Sequence, residues 1–396
     1  MITKEIKDKE DLKQAAKLAE LCFHEDSAED NVKFLNHLKD LYFIGTFEED
    51  ILLAAAGFYE FQIFIRDQLY KCSGIANVMT HPIQRKKGCV KKLMLDILKK
   101  SYTDGYEVSA LWPFNHKFYQ KFGYEIAEKP VFYKIKPSNI KEIKVDENIT
   151  IRESKGKEDY AALNKIASYA LNKNTRIIGK HDAWFLRGET SKFKIFIFEK
   201  ENQPVGFISF KFEQPKDKQW VNHIQVVDWA YEDIETKKSI LSFLKNFESD
   251  ISEIKITLPY EEEMLIYLKE FNTIHSIANW PAMIRIINLK KIIEKMIFQK
   301  NVEKSLLVEI KDSFIPENEG LWNFKIKAGK CNAQKISKED VDEEQILGLT
   351  INQLSQIIVG VASVKSLTEL ESGKTPDEWL DNLIFPTVPC WIGVWF

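Results

Sequence analysis

The sequence has little of several features that mark particular classes of protein. It has only five cysteines in 396 residues, scattered without a C-x-x-C pair: Cys22, Cys72, Cys89, Cys331 and Cys390. This usage predicts neither a disulfide framework nor a zinc knuckle, and it favours a reducing, cytoplasmic location. Lys+Arg total 56 and Asp+Glu total 59, so the net charge is only -3. No global field attracts nucleic acid or an anionic membrane, and neither partner is expected.

Long apolar segments and metal-binding motifs are also missing from the sequence. The longest uncharged stretch, Gln345–Val364, is interrupted by polar residues, whereas a membrane helix needs about 20 predominantly apolar residues. The charged N-terminus does not resemble a secretory signal. The seven histidines form neither an H-E-x-x-H motif nor a metal-spaced cluster, so we expect no metal.

A faint internal repeat indicates two copies of one α/β unit. Ile2–Glu20 is echoed by Ile149–Ser168, in each case a strand pattern followed by a helix pattern. Both copies continue to a strand that carries Gly-Phe, at Gly57 and Gly206. At about 150 residues per domain, the length agrees with two to three domains.

The rest of the chain predicts a third unit of another kind. A Lys/Pro/Ser-rich stretch, Lys134–Glu147, is typical of a linker. After about Ile297 the pattern changes to alternating strands such as Leu321–Ile326, followed by helices and an apolar tail. The predicted domains are therefore 1–145, 146–296 and 297–396.

The segment with the most chemical information runs from Gly74 to Gly105. Its first part is a strand pattern that ends before Pro82, and from Val90 the apolar residues recur with a helical period. A basic turn lies between them and contains Arg85, Lys86, Lys87 and Gly88. The first turn of a helix leaves N–H groups unpaired, and glycine lets a ligand approach the backbone, so this arrangement predicts a diphosphate site. A solvated helix start would be the simpler interpretation of a basic turn alone; the strand before it and the helix after it favour the anion site.

A second strand pattern, Tyr106–Trp112, leads to the sequence FNHKFYQKFGYE, in which Asn115 is a good helix N-cap. The R-x-x-G-x-V motif (Arg85, Gly88, Val90), followed by this strand and Phe-Tyr-x-x-Phe-Gly-Tyr, resembles the core of GNAT acetyltransferases. More narrowly, the chain resembles N-acetyltransferases of the enhanced intracellular survival (Eis) type. The resemblance covers the whole chain and implies an α/β (α+β) fold. It comprises two tandem GNAT-like domains with mixed central sheets, then an α+β domain similar to sterol carrier proteins.

The resemblance implies acetyl-CoA as cosubstrate and assigns residues to it. The pantetheine arm would lie on the backbone of Val78, Met79 and Thr80, because an extended amide chain can pair with a free strand edge. The pyrophosphate would lie at Lys86–Lys91, and Phe114 with Asn115 would flank the thioester. The full set implied is Val78, Met79, Thr80, Arg85, Lys86, Lys87, Gly88, Cys89, Val90, Lys91, Phe114 and Asn115.

The resemblance also implies the catalytic groups. Tyr119 would be the general acid that protonates the leaving thiolate, although by spacing alone it could be one more packed aromatic residue. The α-carboxylate of Phe396 would be the general base, delivered by the uncharged tail that begins at Asn382; a tail packed with its carboxylate at the surface is an equal alternative. Asp26, in an acidic run that otherwise looks like a solvated face, is the candidate substrate contact.

In the second copy, Val227–Asp233 has no glycine and three acids where a pyrophosphate would lie, so this copy is not predicted to bind coenzyme A. The predicted function is acetylation of primary amines on a polycationic small molecule such as an aminoglycoside, by a homo-oligomer that the resemblance makes a hexamer. Two alternatives remain: acetylation of protein lysine or polyamines, and a non-enzymatic module that binds lipid or acyl-CoA.

Overall fold

The computed structural model describes residues 1–23, 41–169, 176–178, 193–214, 222–270, 274–277, 281–339, 346–372 and 377–392. By packing, the chain forms two compact units. The first contains Met1–Ala127 and Ala282–Thr387, and the second contains Glu128–Pro281 with a short segment that begins at Val388. This division follows packing rather than order along the chain, so the three domain ranges drawn from the sequence stay predictions.

The first unit contains a mixed sheet with the strand order β1-β2-β3-β4-β5-β15-β6. Its strands are β1 (Ile2–Glu5), β2 (Leu41–Glu48), β3 (Ile51–Ile65), β4 (Gln68–Thr80), β5 (Val108–Leu111), β6 (Glu125–Ile126) and β15 (Met283–Ile286). Neighbouring strands are antiparallel except β4 and β5, which are parallel. The crossover between those two strands is a helix, as parallel pairing requires.

Three helices accompany this sheet: α1 (Lys9–Phe23), α2 (Cys89–Thr103) and α3 (His116–Gln120). Helix α2 buries Leu93, Met94, Ile97 and Leu98 against the sheet, which is the face that the apolar period predicts. With this face packed on the sheet and only a short turn between β4 and α2, the first turn of α2 lies near the end of β4.

Strand β15 comes from a distant part of the chain. It lies between β5 and β6, with Met283 opposite both Leu111 and Ile126. Its Arg285 is completely buried. The sheet of the first unit is therefore incomplete without residues that follow the second unit in sequence.

The rest of the first unit is a four-stranded sheet with the order β18-β17-β16-β19. The strands are β16 (Lys304–Lys311), β17 (Gly320–Lys327), β18 (Lys330–Lys335) and β19 (Ile346–Thr350), with helices α6 (Leu289–Lys295), α7 (Ile351–Val359) and α8 (Val364–Ser372). Thr350 and Gln353 form a capping box at the start of α7.

The second unit is a seven-stranded sheet with the order β14-β7-β13-β12-β11-β10-β8. Its strands are β7 (Pro130–Ile135), β8 (Ile149–Glu153), β10 (Lys194–Lys200), β11 (Gln203–Glu213), β12 (Asn222–Tyr231), β13 (Ile251–Pro259) and β14 (Ile274–Ile277). The helices are α4 (Tyr160–Tyr169) and α5 (Ile234–Lys245), and β9 (Arg176–Ile178) lies outside this strand order. The only parallel pair in this strand order, β12 and β13, brackets α5, as β4 and β5 bracket α2.

The stretch Lys134–Glu147 is not a free linker. Lys134 and Ile135 end strand β7, and Ile140 is fully buried in the core of the second unit. Ile135, Ile140 and Ile143, which lie between its lysines, pack into that core. The polar composition of the stretch led to the wrong prediction of a linker. Among the helices of the described residues, none is long and apolar enough to cross a membrane.

Candidate active site

The candidate site begins where strands β4 and β5 part. The two strands pair only at Cys72–Val108, Ser73–Ser109 and Gly74–Ala110. Strand β4 continues to Thr80, and its register with β3 shifts between Ala55 and Gly57, opposite a positive φ of 52° at Asn77. A bulge of this kind bends a strand and re-aims its end. Beyond Gly74, no strand that the structure describes pairs with the edge of β4 that faces β5, although Cys22 Sγ donates to the Thr80 carbonyl at 3.5 Å. This edge can therefore accept an extended chain.

The first turn of α2 has unpaired backbone donors. Gly88 precedes the helix with φ 88° and ψ 0° and provides no side-chain cap. The first backbone bond of the helix is from Lys92 N–H to Gly88 C=O at 3.1 Å, and among the described residues the N–H groups of Cys89, Val90 and Lys91 find no backbone acceptor. A Cβ on Gly88 would have no atom within 4 Å, so this space is open. Open donors at a helix start form an anion site.

Four cations surround that helix start without acidic partners. Arg85, Lys86, Lys87 and Lys91 are exposed, and in the described part of the chain no carboxylate forms an ion pair with any of them. Lys92 differs, because its amine donates to the Met1 carbonyl at 2.9 Å. The four free cations add a local positive field to the partial charge of the helix.

A cavity of about 830 Å³ connects these features. Nine of the residues predicted from the sequence line it: Val78, Thr80, Arg85, Lys86, Gly88, Cys89, Val90, Lys91 and Phe114. Four other predicted residues are not in its lining: Met79, Lys87, Asn115 and Tyr119. The Met79 side chain is buried, and its predicted role involves only the backbone. The volume lies in the range of ligand sites.

Helix α3 forms one wall of the cavity. Asn115 caps it by accepting the N–H of Phe118 at 3.0 Å, as its position in the sequence predicts. Tyr119 is only 3% exposed. Its ring centroid lies 5.3 Å from that of Phe114 and 5.1 Å from that of Phe118.

Burial raises the pKa of the Tyr119 phenol, because the charged phenolate would lose its hydration. The hydroxyl therefore keeps its proton at neutral pH. Behind it, the hydroxyl of Tyr124 shares a hydrogen bond of 2.7 Å with Ser109 Oγ, which donates to the Ser73 carbonyl at 2.7 Å. This buried network holds the base of α3 on β5.

Seven lining residues were not predicted from the sequence: Cys22, Phe23, Gln84, Phe118, Lys121, Phe122 and Phe314. Phe118, Lys121 and Phe122 lie inside the predicted Phe-Tyr-x-x-Phe-Gly-Tyr motif, and Gln84 directly precedes Arg85 of the basic turn, so their positions in these motifs could have identified all four. Phe314 lies far along the chain in the sterol-carrier-like part, and no local signal points to it.

Two predicted residues, Asp26 and Phe396, lie outside the described residues. The tail is described as far as Ile392, which is fully buried. Its N–H donates to Glu128 Oε2 at 2.8 Å within the second unit. Cys390 is also buried.

The corresponding helix of the second unit starts differently. Asp233 caps α5, and its Oδ1 accepts the N–H and the hydroxyl of Thr236, both at 2.7 Å. A carboxylate thus occupies the helix start, with Glu232 beside it. Glu232 has a pKa raised by burial, and the charge of Asp233 also raises it. An anionic ligand would meet like charge here.

Comparisons with known proteins agree with this architecture. Residues 4–127 match a family model described as an acetyltransferase (GNAT) domain, residues 177–286 match a second such model, and residues 289–393 match a sterol carrier protein domain. Among curated proteins, none matches the sequence.

Similar solved structures cover the whole chain. A probable N-acyltransferase from Enterococcus faecalis has a TM-score of 0.87 at 20% identity, over 100% of this chain and 99% of that one. A GCN5-related N-acetyltransferase from Anabaena variabilis has a TM-score of 0.85 at 19% identity, over 100% of both chains. Eis1 from Mycobacterium abscessus has a TM-score of 0.80 at 13% identity, again over 100% of both.

The predicted fold class, two tandem GNAT domains with mixed sheets and a sterol carrier domain, is confirmed. With these domains the chain is an N-acetyltransferase, and GNAT domains use acetyl-CoA.

Proposed function

We propose that the chain is an Eis-type enzyme that acetylates primary amines of a polycationic small molecule such as an aminoglycoside. The observation that carries the proposal is one cavity at which the edge of β4, the open donors at the start of α2 and cations with no carboxylate partner in the described part of the chain meet. The cavity belongs to the first unit, and the start of α5 in the second unit is capped by a carboxylate. Each chain would therefore hold one cofactor, in the first unit.

The residues present fit acetyl-CoA. The open N–H groups of Cys89, Val90 and Lys91 suit a pyrophosphate, and Arg85, Lys86, Lys87 and Lys91 supply the opposite charge. The edge of β4 from Val78 to Thr80 suits the amides of a pantetheine arm. When bound, acetyl-CoA supplies the acetyl group as an activated thioester.

Two groups of the chain would move the protons. The Tyr119 hydroxyl, kept neutral by burial, would donate its proton to the sulfur as the C–S bond breaks. The α-carboxylate of Phe396 would take the proton that the amine loses as the N–C bond forms, through a water. An amine cation would also pair with that carboxylate, which is costly to bury alone.

The acceptor and a hexameric assembly are parts of the proposal that rest on the resemblance to Eis proteins. A contact of Asp26 with the acceptor rests on the acidic run in which Asp26 lies. The cytoplasmic location stays a prediction from the cysteine usage. An acetylation assay across aminoglycosides, polyamines and lysine peptides tests the acceptor. Turnover of an aminoglycoside above the others is expected; preference for a lysine peptide would overturn this part.

Replacing Tyr119 by Phe tests the general acid. We expect kcat to fall about 10²- to 10⁴-fold, the usual range for loss of a positioned proton donor, with unchanged affinity for acetyl-CoA. The measurement is steady-state kinetics together with calorimetric binding. Tyr102→Phe, on the partly exposed side of α2, is the matched control and should keep full activity. Unchanged kcat in Tyr119→Phe would remove Tyr119 from the mechanism.

A further inference from the structure

One residue of the cavity lining, Phe314, comes from the sterol-carrier-like part of the chain. Phe314 follows β16, is half-buried and lines the cavity with Phe118, Lys121 and Phe122. Its ring centroid lies 5.4 Å from that of Phe122. The next residue, Ile315, is buried in the core that also holds Leu93 and Tyr119. The turn after β16 is thus packed into the core of the candidate active site.

The backbone of this turn is held in one conformation. Oδ1 of Asp312 accepts the N–H groups of Phe314 and Ile315, each at 3.1 Å. Both oxygens of the carboxylate accept from Nη2 of the buried Arg285, at 2.7 Å each. Asn318 Nδ2 adds a further bond to Oδ2 at 3.0 Å. Because Asp312 bonds the amide of Phe314 itself, the backbone that carries the ring is fixed before any ligand arrives.

Lys121 stands beside this aromatic wall with a free charge. It is exposed, lines the cavity just beyond the end of α3, and has no carboxylate partner among residues the structure describes. Phe118, half-buried one helical turn earlier, lies 5.4 Å from Phe122 between ring centroids. The result is an apolar aromatic surface with one cation at its edge.

Coenzyme A has a third part that the pyrophosphate and pantetheine sites leave unassigned. This part is a flat purine on a ribose that carries a 3′-phosphate. Purines stack on aromatic side chains, and a phosphate pairs with a lysine. Resting on the proposed function, we propose that Phe314, with Phe118 and Lys121, binds the 3′-phosphoadenosine end of the cofactor. The sterol-carrier-like part therefore contributes directly to the cofactor site.

Calorimetric titration of the full chain with coenzyme A and with 3′-dephospho-coenzyme A tests this. The wild type should bind coenzyme A more tightly. Phe314→Leu should weaken both ligands by about tenfold, because it removes a stacking surface that both use. Lys121→Met should weaken coenzyme A by about fivefold and leave the dephospho form unchanged, because only the former has the phosphate.

Two control variants change residues close to Phe314 and Lys121 that do not contact the proposed ligand. Ile315→Val shortens a buried side chain of the same turn but leaves the hydrogen bonds of Asp312 to the backbone in place, and Lys117→Met removes an exposed lysine of α3; neither residue lines the cavity. Both should bind as the wild type does. Lys121→Met changes only an exposed residue, so it tests the assignment even if Phe314→Leu lowers the melting temperature.

Wild-type affinity for coenzyme A in Phe314→Leu, or equal affinity of the wild type for the two ligands, would overturn the assignment and leave the proposed function standing. A wild-type chain that binds neither ligand would overturn the proposed function and this assignment with it.

Discussion

At the scale of single residues, the helix start depends on one backbone conformation. Gly88 has φ 88°, and nothing lies within 4 Å of the position a Cβ would occupy. A side chain there would meet no clash in the free protein, but it would be strained by the left-handed conformation. A substitution at Gly88 can therefore affect two separate quantities: the stability of the free protein, through backbone strain, and the affinity for the ligand.

Gly88→Ala is expected to lower the free energy of unfolding by about 1 kcal/mol and to weaken acetyl-CoA binding at least tenfold. The second effect follows because the open donors of α2 are aimed by this turn. Gly156→Ala is the matched control: Gly156 has φ 75° and equally open space, but it lies in the second unit. Chemical unfolding and calorimetry measure the two effects. If both variants bound acetyl-CoA equally well, the helix start would not be the pyrophosphate site.

At the scale of elements, a buried carboxylate joins β8 to the start of α4. Asp159 accepts from Arg152 Nη1 at 2.9 Å and Nη2 at 2.8 Å, from Lys155 N–H at 2.6 Å and from Ser154 Oγ at 3.1 Å. The hydrogen bonds from Arg152, followed by those of Lys155 and Ser154, lower the pKa of Asp159 from 3.8 to about 2. The charged form is therefore stabilised by folding.

This pair gives the second unit a stability that depends on pH. Because the folded pKa is depressed, the contribution is complete above the unfolded pKa of 3.8 and is lost as pH falls through about 2. Asp159→Asn should cost about 1–2 kcal/mol at pH 7, measured by hydrogen exchange of the α4 amides. The difference from wild type should shrink as pH falls from 5 to 2. Glu158→Gln, at the exposed neighbour, should show no such difference; a cost in Asp159→Asn that does not change with pH would contradict the assignment.

The pair of Arg285 and Asp312 joins β15 to the turn after β16, and both side chains are 0% exposed. Arg285 also donates to the carbonyl of Phe122, beside the cavity. Removing one charge leaves the other buried without compensation.

Asp312→Asn is therefore expected to lower the free energy of unfolding by about 3–5 kcal/mol. Asp104→Asn, which breaks the exposed pair of Asp104 with Lys100, is the control and should cost less than about 1 kcal/mol. Urea unfolding followed by circular dichroism compares them. Equal costs would mean that the burial of the Arg285 pair has no energetic consequence.

At the scale of the whole molecule, the sterol-carrier-like part supports the first GNAT domain, which lies in the same unit. Asn352 of α7 donates to the carbonyls of Gln120 and Tyr124, each at 3.0 Å, and so fixes the end of α3. Ser355 accepts the N–H of Ile286 in β15 at 3.0 Å. Helix α7 therefore holds both the end of the helix that carries Tyr119 and strand β15.

The end of the chain provides a test at this scale. Adding a few residues after Phe396 should reduce turnover by at least about 100-fold, because the α-carboxylate would be displaced from its proposed role as base. Calorimetry should show wild-type affinity for acetyl-CoA, which separates this effect from misfolding. Unchanged turnover would exclude Phe396 from the mechanism.

The sequence by itself determined the parts of the site that lie close together in the chain. The end of β4, the basic turn, the phase of α2 and the Asn115 cap all follow from local patterns, because turns, caps and helical periods depend on neighbouring residues. The repeat likewise predicted two similar units. The role of Tyr119, in contrast, came only from the resemblance, since its neighbours are aromatic too.

Only the tertiary structure decided the contacts between distant segments. Strand β15 completes a sheet begun at β1, and Phe122 bonds Arg285 across 163 residues. The backbone of Phe314 is held at the cavity by Asp312, and Asp312 is paired with Arg285 of β15. A local pattern cannot reveal this contact, because Arg285 is buried in another sheet. Contacts of this kind are set by which surfaces pack together, and packing depends on the whole chain rather than on any window of it.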